Sequence, residues 1–277
     1  MDPNQYCQEK TAQSGSSFYY SFIFLPPEKR AAITALYAFC REVDDIADDC
    51  TDTAIARAKL AWWRGEIAAV FGGEPSHPVS QALVPIVRRY DMAAEQFLEI
   101  IDGMEMDLNQ NRYPDFKTLN LYCYRVAGVV GELSAIIFGY RDRKTLKYAH
   151  DLGLAFQLTN IIRDVGEDAR RNRIYLPLDE LAQFGISEAD ILTCRESPQF
   201  QEMMSFQAER ACAYYDQAFQ ELPKSDRKPQ LPGIIMAAIY RTLLQEIEKD
   251  GFRVLNQRTS IPPLRKFWIA AKTWLKG

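Results

Sequence analysis

Apolar residues recur at three- and four-residue spacing through nearly the whole chain, while alternating β-branched runs with Asn-Gly or Asp-Gly turns are almost absent. That pattern restricts the architecture to helix packed on helix. Pro26-Pro27 followed by Glu28 opens a helix that runs to about Asp49, because proline is tolerated in a first turn and an acid suits the positive end of the dipole. Further helices are expected near 53–71, 79–90, 91–109, 116–138, 143–170, 198–221 and 231–250, with a short one from Leu178 and a last one after Pro262-Pro263. The breaks "GGEPSHP", "NRYPD", "GYRDR", "ELPKSDRKP" and "SIPP" are too short to be domain linkers. With 277 residues, 47% of them hydrophobic, the chain can bury a sizeable core. We expect one all-α domain over 1–277, a helical bundle ending in an amphipathic helix at 261–277.

Bulk chemistry removes several function classes. A net charge of −4 offers no basic field for nucleic acid. The cysteines (Cys7, Cys40, Cys50, Cys123, Cys194, Cys212) are scattered without a C-x-x-C pair, which reads as reduced thiols in a cytoplasmic protein. His77 and His150 are too few and too far apart for a typical zinc site. The N-terminus "MDPNQYCQEK" lacks the basic lead and apolar core of a signal peptide. No window reaches about 18 unbroken apolar residues, so no transmembrane helix is expected.

Two acidic motifs grow out of apolar helices. In "CREVDDIADDC", Asp44 and Asp48 stack on one face, Asp45 and Asp49 on the adjoining one, and Arg41 lies one turn before Asp44 and Asp45. In "QLTNIIRDVGEDARRNRIY", Gln157, Asn160, Asp164 and Asp168 step by three, four and four along one face. A lone acidic pair at this spacing is usually a solvated helix face. Two sets on otherwise apolar helices are not, because a buried unpaired carboxylate costs several kcal/mol. Arg41 and Arg163 can neutralise part of the charge, and the remainder points to divalent cations. All-oxygen ligands suit Mg²⁺ or Mn²⁺, and Mg²⁺ bridges to phosphate oxygens rather than sitting in an all-protein cage. A phosphorylated ligand held between the two faces follows.

The ordered set "SFYYSFIFLPPEKRAAITALYAFCREVDD", "DDIAD", "YCYRVAGVVGELSAIIFG" and "NIIRDVGEDARRNRIYLP" resembles the squalene/phytoene synthase family, from Ser14 to about Tyr240. A D-x-x-x-D pair alone is weak; the order of all four segments is specific. The resemblance implies an isoprenoid-synthase-type bundle with a central active-site cavity. It implies Asp44, Asp48, Asn160, Asp164 and Asp168 as metal ligands, and Arg41 and Arg163 as diphosphate binders with Gln157 and Arg173 nearby. Ser17, Phe18, Tyr37, Tyr122, Tyr175 and Tyr240 match positions that line the site. Of these, Tyr37, Arg41, Asp44, Asp48, Asp164 and Tyr240 form the expected catalytic set. The chemistry agrees: cleaving an allylic carbon–oxygen bond needs the leaving diphosphate neutralised, and aromatic faces such as Phe18, Phe22, Tyr37 and Tyr240 suit the cation left behind.

The small residues Ala127, Gly131 and Ser134, with Val126 and Val130 one step round, either let helices approach closely or leave room for a hydrocarbon chain. The resemblance favours a tunnel wall there, with Gly153 and Leu154 facing it. The opening segment and "IDGMEMDL" look most like the branch that forms presqualene diphosphate in bacterial hopanoid and squalene biosynthesis. That implies two farnesyl diphosphates as substrates and no NADPH, since no G-x-G-x-x-G follows a strand. The alternatives are phytoene or dehydrosqualene synthesis, a non-catalytic assembly factor of the same fold, and a Mg²⁺ phosphohydrolase. The factor is disfavoured because all five metal positions are kept, and the hydrolase because both motifs lie beside apolar segments.

Beyond Asp250 the tail has no acids but carries Arg253, Arg258, Arg265, Lys266, Lys272 and Lys276. Leu264, Phe267, Trp268, Ala271 and Leu275 fall on one helical face. The helix either lies in a membrane interface or packs on the core. A lipid-like substrate tilts the expectation towards peripheral contact with the inner face of the membrane.

Overall fold

Helix starts follow local chemistry. Asp52 accepts the backbone N–H groups of Ala54 and Ile55, Asp115 that of Thr118, and Ser197 that of Phe200. The computed structural model describes residues 2–13 and 21–276. In chain order it contains α1 (Pro3–Gln13), α2 (Pro27–Asp49), α3 (Thr53–Gly72), α4 (Pro78–Arg89), α5 (Ala94–Asn109) and α6 (Phe116–Cys123). A π-helical turn (Tyr124–Gly128) runs into α7 (Val129–Phe138), followed by α8 (Lys144–Arg170), α9 (Leu178–Gln183), α10 (Glu188–Leu192) and α11 (Pro198–Glu221). A 3₁₀ turn (Lys224–Asp226), α12 (Leu231–Lys249) and α13 (Pro263–Lys276) complete the described chain, which holds no strand beyond one isolated bridge between Arg112 and Ile174.

The all-α expectation stands, with local differences. The helix expected from residue 91 begins at Ala94, because Asp91 turns the chain at φ 49°. Helix α1 was not expected: it buries only Cys7 and Thr11, too little for an apolar stripe, and Lys10 ties it to Glu42 and Asp45 of α2. Helix α10 also escaped the periodicity, yet Ser187 and Asp190 form the capping box that marks its start. The expected 116–138 helix is interrupted by the π-helical turn, a device common at functional sites.

Two core clusters form. One gathers buried residues of α8, α11 and α12; the other gathers those of α2 to α5 and α7. Val126 packs against both, and a cavity opens between them. The run Phe116–Phe138 is long and apolar enough to cross a membrane by composition. In the fold it presses against α8: a Cβ on Gly131 would lie 2.3 Å from the Ala149 carbonyl oxygen, and one on Gly153 would lie 2.3 Å from that of Ala127. Only glycine permits that approach.

Asp226 anchors the far end of this helix pair. Its carboxylate, 0% exposed, accepts the N–H groups of Arg141 and Asp142 and the hydroxyls of Thr145 and Ser225. Burial acts to raise its pKa, but these donors hold it at about 2. The folded value lies below the unfolded one, so the stabilisation is present above pH ~4 and is lost as pH falls towards ~2. Asp226→Asn is expected to cost about 2 kcal/mol at pH 7. Urea unfolding at pH 7 and pH 3 checks this: the gap from wild type narrows at the lower pH, and an unchanged gap refutes it.

Candidate active site

The cavity between the clusters, about 220 Å³ in volume, is polar at one end and apolar at the other. Helix α2 supplies Tyr37, Arg41 and Asp44 at the polar end, α8 supplies Gln157 and Asn160, and α12 supplies Tyr240. Below them, Val126 and Ala127 of the π-helical turn, Val130, Gly131 and Ser134 of α7, and Gly153 and Phe156 of α8 form the wall, with Phe22 and Tyr122 completing it. Phe138, Tyr148, Gln230 and Gly233 lie at the far end. From Gln157 down to Tyr148 the wall follows α8 for about 14 Å at 1.5 Å rise per residue.

The two readings of the small residues were not exclusive. Gly131 and Gly153 allow close helix contact and also line the cavity. Leu154 does not face it: one residue further round α8 than Gly153, it is buried against Gly128. Ser17 and Phe18 lie outside the described residues.

The acidic faces continue past the cavity, and arginines already reach into them. Arg41 bonds both Asp44 and Asp45. Arg173 donates to Asp48 at 2.8 Å and to the Ala47 carbonyl at 2.9 Å, with Arg171 at 3.3 Å from Asp48. Arg163 clasps Asp164 through two nitrogens. Asp49 is exposed. Burial pushes the Asp44 carboxyl up to about 6, with Arg41 opposing and Asp48, Asp107 and Asp45 adding to the rise. Burial likewise takes Asp168 to about 7, reinforced by Asp164 and opposed by Arg173. Asp164 is lowered, because Arg163 and Arg258 outweigh its burial. The site is thus short of positive charge at Asp44 and Asp168 and balanced at Asp164.

Two participants had escaped the sequence reading. Asp107 of α5 accepts the hydroxyls of Tyr122 at 2.9 Å and Tyr175 at 2.7 Å, and its burial pushes its carboxyl up to about 6. The signal was present: Phe97, Ile100, Met104 and Asp107 form one stripe, so an acid sits on the face that otherwise packs the core. Arg258 donates to Asp164 at 2.9 Å and lies 3.2 Å from Glu167. Nothing in the loop "NQRTS" marks it. Tyr175 and Arg173 are brought in by tertiary pairing: the Ile174 N–H bonds the Asn111 carbonyl at 2.9 Å, fastening the segment after α8 to the one after α5. They line a small recess beside Asp168 rather than the main cavity.

Among the described residues no three acidic side chains converge on one point. The donor set still fits a hard divalent cation. Asn160 lines the cavity with its Oδ1 buried and without a hydrogen-bond partner, and the carboxyls of Asp44 and Asp168 are pushed up by burial and by nearby carboxylates.

The model of the squalene/phytoene synthase family matches residues 11–265. A phytoene synthase from Arthrospira platensis is 38% identical over 96% of this chain and 90% of its own length. A 15-cis-phytoene synthase from Synechococcus elongatus is 37% identical over 94% of this chain and 88% of its own. Among solved structures, a dehydrosqualene synthase bound to ligand superposes with a TM-score of 0.86 at 27% identity, covering 99% of this chain and 96% of its own. A squalene synthase from Alicyclobacillus acidocaldarius gives 0.79 at 27% identity, covering 90% and 94%. The names of the sequence relatives favour the phytoene alternative over the presqualene diphosphate expectation; the head-to-head step is common to both. The chain belongs to the squalene/phytoene synthase family, prenyltransferases that condense prenyl diphosphates head to head.

Proposed function

We propose that this chain joins two farnesyl diphosphates into presqualene diphosphate and one pyrophosphate. The observation that carries the C15 reading is cavity depth. An extended farnesyl main chain spans about 14 Å and a geranylgeranyl one about 19 Å, taking roughly 1.25 Å per zigzag bond. The lining residues of α8 from Tyr148 to Gln157 span about 14 Å of helix, and we take that span as the length available to a prenyl chain. The relatives' names support a second reading, condensation of two C20 diphosphates to phytoene.

Enzymes of this family bind diphosphate through divalent metal. Here Asp44, Asp48, Asn160, Asp164 and Asp168 would hold Mg²⁺, and the ion supplies positive charge to the diphosphate oxygens. Arg41, Arg163 and Arg173 bind the remaining oxygens, giving up contacts they make to carboxylates. Gln157 orients the diphosphate beside Asn160. As the carbon–oxygen bond of one substrate breaks, Phe22, Tyr37 and Tyr240 present ring faces to the allylic cation. Val126 and Val130 keep water from it. The double bond of the second substrate attacks, a proton is lost, and a cyclopropane closes while the acceptor keeps its diphosphate.

Purified protein with Mg²⁺ and either diphosphate, with and without NADPH, tests the reading by mass spectrometry and pyrophosphate release. One pyrophosphate per two farnesyl diphosphates is expected, with a C30 cyclopropylcarbinyl alcohol after phosphatase treatment and no effect of NADPH. Two pyrophosphates per product, or preference for geranylgeranyl diphosphate, moves the assignment to dehydrosqualene or phytoene synthesis. Tyr148→Ala enlarges the far end and is expected to raise kcat/KM for the C20 substrate relative to C15, at a stability cost of about 3 kcal/mol. An unchanged ratio in the folded variant refutes the depth argument.

A further inference from the structure

The last helix turns its apolar stripe outward. Ile269 and Ala270 are buried, whereas Leu264 (86% exposed), Phe267 (51%), Trp268 (58%) and Leu275 (77%) face away from the protein. The rotation is fixed from both sides. Trp274 stacks on Phe24 at 5.3 Å between ring centres, and Arg265 donates to Glu246 of α12 at 3.0 Å. Lys266 is set against the protein beside Arg163 and Arg258, and its pKa is lowered by partial burial and by those two cations. So α13 is rooted next to the diphosphate-binding end of the cavity, and its apolar stripe is left uncovered.

Four large apolar side chains on one helical face are far more than scattered surface hydrophobics. Cations flank the stripe. Lys272 falls in the sector of the helix between the outward stripe and the buried face and lies 4.6 Å from the Trp268 ring centre, and Arg265, paired with Glu246, shares that sector. From Gly251 to Gly277 there is no Asp or Glu. An apolar stripe bordered by cations and by an indole, with no acid in the segment, is complementary to anionic headgroups over acyl chains. A protein partner of ordinary composition would call for mixed charge at the rim.

We propose that α13 docks the enzyme on an anionic lipid surface, seating Leu264, Phe267, Trp268 and Leu275 among the acyl chains with the cations at headgroup level. The docked helix puts the mouth of the cavity at the bilayer, so an amphiphilic substrate reaches the site without crossing water as a free monomer. The docking claim is independent of chain length and of product.

Co-sedimentation of the full chain with phosphatidylcholine vesicles, and with vesicles in which a third of the lipid is phosphatidylglycerol, tests it. Binding is expected to the anionic vesicles, at least tenfold weaker to the neutral ones, and weakened by salt. F267E/W268E changes two exposed side chains outside the active site. It is expected to keep its melting temperature and its turnover of detergent-dispersed substrate while losing at least tenfold in vesicle binding. Wild type that ignores both vesicles, or a variant that binds as well as wild type, overturns the proposal. A wild-type dimer that the same variant splits into monomers also overturns it, because a second copy would then cover the stripe.

Discussion

Excess chelator is expected to abolish turnover, and added Mg²⁺ to restore it. The expectation rests on particular groups. Asn160 Oδ1 is buried and unpartnered, and Asp44 and Asp168 are pushed up to about 6 and 7 by burial and by neighbouring carboxylates. Without an added cation the arginines divide the work, Arg41 serving Asp44, Arg173 serving Asp48, and Arg163 with Arg258 serving Asp164. None reaches Asn160. The two diphosphates bring several more negative charges into the same space, which these guanidinium groups cannot offset while still bonded to carboxylates. Pyrophosphate release measured in chelator, then with Mg²⁺ returned, checks this. Full activity in excess chelator removes the metal from the scheme.

Asp44→Asn and Asp164→Asn are each expected to slow ionisation by roughly 10²–10³, about 3–4 kcal/mol, the loss that follows removal of one preorganised electrostatic contact. Their stabilities are expected to move in opposite directions. The folded pKa of Asp44 is raised, so its ionised form costs the fold free energy above pH ~6. The amide relieves that cost at pH 7.5, by at most about 1 kcal/mol because the side chain is more than a third exposed. Asp164 is lowered, so its charge stabilises the fold above the unfolded pKa. Its loss removes the carboxylate that Arg163 clasps and leaves Arg258 only Glu167, at about 1–2 kcal/mol. Single-turnover rates and melting curves on both variants separate the effects. If either keeps its rate per folded molecule, that aspartate is structural.

Helical spacing made much of this site readable. It put Asp44 with Asp48, and Gln157 with Asn160, Asp164 and Asp168, because residues four apart share a face whatever surrounds the helix. Proline chemistry marked the starts of α2 and α13 for the same local reason, and the capping residues Asp52, Asp115, Ser187 and Ser197 stand at four others. Asp107 could have been found by asking why an acid occupies the stripe of Phe97, Ile100 and Met104. Arg258 could not: it reaches Asp164 across 94 positions, from a loop with no pattern.

The sequence by itself therefore determined the helices, their apolar faces and the two carboxylate ladders, since all of these depend on neighbours within a turn or two. Only the tertiary structure decided what each face meets. It set Asp107 under Tyr122 and Tyr175, fastened Arg173 beside Asp48, turned Leu154 away from the cavity while leaving Gly153 on it, brought Tyr148 to its lining, and pointed the stripe of α13 outward. The physical reason is that periodicity fixes which residues point together, whereas the direction in which they point is set by packing between segments far apart in the chain, such as the Gly131–Ala149 and Gly153–Ala127 contacts that hold α7 and the π-helical turn against α8.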